Sequence, residues 1–440
     1  MKITSTIITL LLFSININAQ DSLATKDDIG EVKGTIEGMN ETITEMKNFV
    51  DIIRKIKWSG YIQTQYQTAE SAGISSYAGG SFPANVNSRL QVRRGRIKFV
   101  YDQEITQYVL QIDITQNGVG IKDAFAMIRD PWIRTFSFTG GVFDRPFGFE
   151  ISHPSGMRET AERSRLFQTL FPGERELGVK FEANAEEGVL SYINFKAGLF
   201  NGVLPTANEN DRNKDFIGRA GFKIPFAEQN LSIDGGLSLY LGKVTTTSKY
   251  VYKMDESSPV RRYDVDSAAA NIGKNFERNY YGADFQLYYD IPNFGGMSIR
   301  TEIITGKQPG TEKSNSFYYP TPTDATPKLY NRNFTGWYIS YIQNIGLSNQ
   351  FVMKFDVLDP NTDVEGNDIG IVGSNLTVAD IKYSTLGIGW VYHWDMNVKF
   401  MIYYDIVQNE TVNAAAAGAL VNFKSDVKDN VLTLRMQYLF

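Results

Sequence analysis

In the stretch Arg93-Arg94-Gly95-Arg96-Ile97-Lys98-Phe99-Val100-Tyr101, cations and apolar residues fall on opposite parities. An extended chain sends alternate side chains to opposite faces. Arg94, Arg96 and Lys98 therefore share one face, and Ile97, Phe99 and Tyr101 the other. The three cationic heads lie roughly 6.6 Å apart, twice the strand rise, a ladder that holds an anion weakly enough for it to move on. The same parity count puts Lys180, Lys196, Arg219, Lys223, Arg300, Lys354, Lys399 and Arg435 on polar faces, together with Asp113, Glu182, Asp234, Asp284, Asp290, Glu302, Asp356 and Asp405. The basic set is the larger, which favours anions by a small margin. Catalytic chemistry is poorly provided for. The chain has 2 histidines: His393 at a strand end, and His153 near Ser152 and Ser155. Hydrolytic nucleophiles generally need a histidine beside Ser or Asp, but a polar loop histidine is the simpler reading, so neither an enzyme nor a cofactor is expected. Asp359, Asn361 and Asp363 offer oxygens at alternate positions, a weak candidate for Ca²⁺. Gly366 is misplaced for an EF-hand, and no metal site is assigned.

Such two-faced segments require strands with water on one side. The last ten residues show it most clearly: Leu432, Leu434, Met436, Tyr438 and Phe440 form an apolar parity, Thr433, Arg435, Gln437 and Leu439 the other. The chain carries 24 Tyr and 28 Phe and no cysteine, with a negative mean hydropathy. Nowhere does it reach the roughly 18 consecutive apolar residues of a spanning helix. Abundant aromatics hidden by alternation suit a transmembrane barrel, and the net charge of −5 argues against a nucleic-acid partner. Lys2, the apolar run from Ile3 to Ile15 and the small Ala19 read as a signal peptide over 1–19, so export without disulfides is expected.

Ahead of the strands, Ile29, Val32, Ile36, Met39, Ile43, Met46, Val50 and Ile53 recur at spacings of three and four without a break. That is the seam of a coiled coil, within a segment spanning 20–57. Branched residues at Ile29, Ile36, Ile43 and Val50 fit dimers and trimers alike, but the absence of leucine at the alternate seam position disfavours a dimer and points to a trimer.

From residue 58 to 440, period-two segments are expected at 58–67, 89–102, 107–117, 121–129, 135–143, 175–185, 190–201, 215–224, 231–242, 280–290, 298–306, 335–345, 350–359, 383–394, 396–409 and 429–440. Tight connections such as Asp130-Pro-Trp and Gly346-Leu-Ser-Asn349 alternate with long ones near 68–88, 144–174, 202–214, 243–279, 307–334, 360–382 and 410–428; only Gly118-Val-Gly120 breaks the rhythm. The fold class is all-β: a 16-stranded antiparallel transmembrane β-barrel preceded by a short helical coiled coil. Its polar inner face implies a water-filled channel in place of a packed core.

The terminal aromatic strand resembles the insertion signal of outer-membrane barrels, which implies that Phe440 and Tyr438 engage the barrel assembly machinery. Further pieces are Arg93-Arg-Gly-Arg96, Gly141-Val-Phe-Asp-Arg-Pro-Phe-Gly148, Glu162-Arg-Ser164, Pro172-Gly-Glu-Arg175, Gly198-Leu-Phe-Asn-Gly202, Tyr281-Gly-Ala-Asp284 and Asp359-Pro-Asn-Thr362. In this order they resemble the phosphate-selective porin O and P family of Gram-negative outer membranes. The resemblance implies a homotrimer in outer-membrane lipid, whose third long loop folds inward to narrow a pore for small anionic solutes. That loop would carry Arg145, Arg158, Arg163, Arg165 and Arg175 against Asp144, Glu150, Glu159, Glu162 and Glu174. Paired charges create a transverse field without excluding cations, whereas phosphate capture wants unpaired guanidinium forks. The expected function is passive diffusion with mild anion preference. The alternatives are a non-selective porin, or a structural or adhesive barrel whose coiled coil binds a periplasmic partner.

Overall fold

The computed structural model describes residues 26–205, 207–255, 257, 260–320 and 328–440; the expected signal peptide lies outside them. The chain divides into two units, Met1–Ile56 and Lys57–Phe440. In the first, α1 (Lys26–Arg54) is a single helix in which every residue is exposed. Its seam residues face solvent, with Ile29 60% and Ile43 57% exposed. Thr35, Thr42 and Thr44 turn their hydroxyls back onto carbonyls four residues earlier, which satisfies those hydroxyls within the helix.

In the second unit one sheet holds β1 (Ile56–Ala69), β2 (Ser88–Asp102), β3 (Thr106–Thr115), β4 (Gly118–Arg129), β5 (Phe136–Asp144), β6 (Arg175–Asn184), β7 (Ile193–Phe200), β8 (Asp215–Phe226), β9 (Leu231–Thr245), β10 (Val251–Met254) and β11 (Tyr263–Asp266). It continues through β12 (Asn275–Ile291), β13 (Gly295–Gly310), β14 (Leu329–Ile345), β15 (Asn349–Asp359), β16 (Tyr383–His393), β17 (Val398–Asn409) and β18 (Val431–Leu439). β10 and β11 form a small hairpin within a long loop, laid parallel on the start of β14. The other sixteen pair antiparallel in sequence order and close where β1 meets β18, from Tyr61 opposite Leu439 to Ala69 opposite Val431. All sixteen expected strands are present. β12, β13 and β14 run further toward the long loops than periodicity indicates. Their extra strand residues bury Arg278, Gln308 and Arg332 among loop residues, so a half-greasy alternation is missing there.

The tight connections gather at one rim. At Asp130 the carboxylate accepts backbone N–H bonds from Ile133, Arg134 and Phe136 at 2.7–3.1 Å. Asn230 and Asn293 adopt left-handed backbone at two further turns, a region asparagine enters more readily than most residues. Outward positions are apolar and exposed all round: Phe138, Phe195, Leu237, Met353, Trp390 and Ile402 are each 39–69% exposed. A continuous apolar belt of this size does not face water.

The inside is not uniformly polar. Residues 145–174 turn inward and include a short helix, α2 (Arg165–Leu170), capped by Ser164. Phe147, Leu166, Phe167, Leu170 and Phe171 pack against lumen-facing Tyr240, Tyr280, Phe334 and Tyr338, all at most 2% exposed. Each such burial is worth roughly 1.5–3 kcal/mol. A side chain at Gly336 would collide with Leu166, since a Cβ there would stand 2.6 Å from Leu166 Cδ1. Alternation assigns a side chain to a face; it cannot tell that inward aromatics meet a folded-in segment.

Candidate functional site

The inward segment is tied to the wall by the cations that parity placed inside. Glu162 sits at the centre. Arg93 and Arg94 reach it at 2.8 and 2.5 Å from β2, Arg435 at 2.8 Å from β18, and Arg158 lies 4.0 Å away. Lys354 donates to the Glu162 carbonyl and Lys399 to those of Gly156 and Arg158, at 2.9–3.0 Å. Arg300 grips Glu159 with both nitrogens at 2.9 and 3.0 Å. From the other side Glu302 accepts the Phe149 and Glu150 backbone N–H groups and the Tyr338 hydroxyl. Burial raises the pKa of Glu159, but hydrogen bonds from His153 and Arg300 outweigh it and hold this carboxyl at about 2. Glu162 is likewise pulled well below the usual range, burial notwithstanding, by Arg93, Arg94, Arg435 and Arg158.

On β2, two of the three ladder cations are paired. Arg94 is spent on Glu162 and Gln63, and Arg96 on Asp113 at 3.1 Å and the Ser155 hydroxyl at 2.7 Å. Lys98 has no carboxylate within ion-pair distance among the described residues; it lines a cavity of about 320 Å³ with Tyr61, Arg96 and Ser155. On the far wall Lys180 and Lys196 share Glu182 at 3.0 and 3.3 Å, and Arg219 holds Asp284 at 2.6 Å. A second cavity of about 490 Å³ lies beside Arg300 and Glu159 near the short-turn rim. Arg145 is buried on Glu176, and Arg165 is sandwiched between the rings of Tyr77 and Tyr383. Arg163 pairs with Glu174 and donates to the carbonyls of Glu150, Ile151 and His153.

Two residue sets escape simple parity. Arg93 belongs to the outer parity yet reaches Glu162, because pairing between β2 and β3 begins only at Arg96 and the strand upstream is outside that ladder. Between Gln111 and Ile112 the register of β3 on β4 shifts, leaving Lys122 without an opposite residue. The bulge turns Lys122 inward beside Asp123, where they bind Glu174 and Arg175. The irregular Gly118-Val-Gly120 connection next to it is the sequence signal for this.

His153 bonds Glu159 and stacks on Phe149, while Ser152 donates to the Phe149 carbonyl and Ser155 meets Arg96; among the described residues neither serine bonds His153. The calcium candidates turn on their own chain. Asp359 accepts the Asn361 N–H and Asn361 the Asp363 N–H, while the Asn361 amide donates to Asp380 and Tyr263. Among the described residues no group of three acidic or histidine side chains is placed to hold a metal. Phe440 and Tyr438 point outward, stacked 6.2 Å apart, and Phe440 exchanges both backbone bonds with Gly60 across the seam.

Neither a family model nor a curated protein sequence matches this chain. Solved structures do. OprB of Pseudomonas putida superposes with a TM-score of 0.57 at 9% identity, over 89% of this chain and 96% of that one. The anion-selective porin of Comamonas acidovorans gives 0.51 at 10%, over 88% and 99%. The outer-membrane channel DcaP of Acinetobacter baumannii gives 0.51 at 12%, over 88% and 97%. At these identities the likeness shows the fold alone, a closed sixteen-stranded barrel.

Proposed function

We propose that the protein is a trimeric outer-membrane porin for passive diffusion of small solutes, with weak anion preference. The observation that carries this reading is the closed barrel itself: apolar outside, charged inside, and crossed by a segment pinned through ion pairs. Short turns and both ends of the barrel chain would face the periplasm, the long loops the exterior. Four arginines around the single carboxylate of Glu162, and Lys98 with no carboxylate in ion-pair reach among the described residues, favour anions over cations. The phosphate selectivity implied by the family resemblance has less support, because the guanidinium forks are committed to carboxylates, carbonyls and rings. The exposed heptad face of α1 suits a three-helix coiled coil, and Phe440 suits recognition by the assembly machinery.

The packed aromatic cluster in the long-loop half of the lumen favours a second reading, a structural or adhesive barrel. Liposome swelling separates the two. Purified protein should admit small sugars at rates that fall as solute size rises; absence of swelling for every solute would leave the structural barrel.

A further inference from the structure

Among the described residues several lumen arginines have guanidinium nitrogens without a hydrogen-bond partner, and nearly all of these arginines lie against an aromatic face, a favourable contact for the cation. Arg145 and Arg278 lie over Phe317 at 4.8 and 3.9 Å. Arg165 lies over Tyr383 at 3.9 Å. Arg300 has Phe149 and Tyr288 at 5.6 and 5.7 Å.

Arg158 is the exception. It is 4% exposed, and among the described residues its Nε, Nη1 and Nη2 find no hydrogen-bond partner. Among the described residues its one carboxylate within ion-pair reach is Glu162 at 4.0 Å, which already serves Arg93, Arg94 and Arg435. Burial, then the adjacent Arg163 and Arg94, push its pKa well below the usual arginine value. A guanidinium does not discharge inside a protein, and a buried cation without a counter-charge is strongly disfavoured.

Beside it lies a cavity of about 20 Å³, walled also by Glu150, His153, Glu159, Arg300 and Lys354. The Nε of Arg300 is a further unpartnered donor on this wall. Both carboxylates there are occupied: Glu159 by Arg300 and His153, Glu150 by the Ser164 N–H and hydroxyl. The space takes about one water-sized particle, so a four-oxygen anion such as phosphate does not fit. A water would satisfy at most two of the donors and would bring no charge.

We propose that Arg158 and the Nε of Arg300 hold a single monoatomic anion, chloride in saline media, between the inward segment and the wall. The site is independent of whether the barrel conducts. In crystals of the wild-type protein grown in sodium bromide, anomalous scattering should show one buried bromide on Arg158. In detergent, the melting temperature should rise saturably with chloride or bromide relative to sodium gluconate at equal ionic strength. Phosphate should give no such rise, and Arg158→Met should lose the halide dependence. Only water density at Arg158, identical melting in chloride and gluconate, or stabilisation by phosphate alone would each overturn the proposal. If Arg158→Met fails to fold, the two wild-type measurements still decide.

Discussion

Glu162 is the single residue on which most of the inward segment's attachment converges, because four arginines from three places in the sequence surround one carboxylate. Removing one partner of a buried ion pair leaves uncompensated charge and costs about 3–5 kcal/mol. Glu162→Gln should therefore unfold at markedly lower temperature or denaturant, and the zero-current potential in a KCl gradient should move toward anions. A variant as stable as wild type would show that the cluster holds nothing. Among the β2 cations, Lys98→Gln should lower anion preference more than Arg96→Gln does, since Arg96 is neutralised by Asp113 and Lys98 is not. Equal effects would return the three residues to a simple ladder. The faces of Arg94, Arg96 and Lys98 were legible from alternation alone. Of their partners, Asp113 lies across the neighbouring strand on the same inner parity and was legible too; Glu162 was not, since it is dozens of residues away and local pattern says nothing about which distant loop folds onto a strand. Arg93 and Lys122 were missed because a frayed ladder and a bulge break the period on which the reading rests.

At the level of elements, the inward segment is held by ion pairs on one side and by α2 on the other. Glu159 has a folded-state pKa of about 2, below the ordinary glutamate value of about 4.3. Its pin with Arg300 thus contributes fully above that ordinary value and is lost as pH falls toward 2. Acidification through this window should lower the melting temperature, and Glu159→Gln should remove that part of the pH dependence; an unchanged acid profile in the variant would assign the effect elsewhere. Leu166→Ala should cost about 2–5 kcal/mol by opening a cavity against Gly336 and the aromatic cluster, with noisier conductance as the segment loosens. The sixteen strands could be read because each repeats its period several times between turn residues. α2 has six residues and the β10–β11 hairpin four per strand, too few for a period to declare itself. Their stability comes from tertiary burial of residues such as Leu166 and Tyr263.

For the whole molecule, assembly depends on two seams. At the barrel seam Phe440 bonds Gly60 and packs on Trp58, so Phe440→Ser should reduce folded barrel in the outer membrane; normal surface yield would contradict both its sealing and its signalling role. At the other, the proposed trimer of α1 should weaken when Ile36 and Ile43 are replaced by Asp, and trimers in detergent should dissociate at lower temperature. Unchanged dissociation would remove the coiled coil from the account. Planar-bilayer recording of the purified wild-type protein in a KCl gradient decides whether this barrel is a channel with a weakly anion-selective lumen. Stepwise, ohmic conductance with a small zero-current potential on the anion side is the predicted result. A silent bilayer at confirmed insertion, or a potential on the cation side, would contradict it.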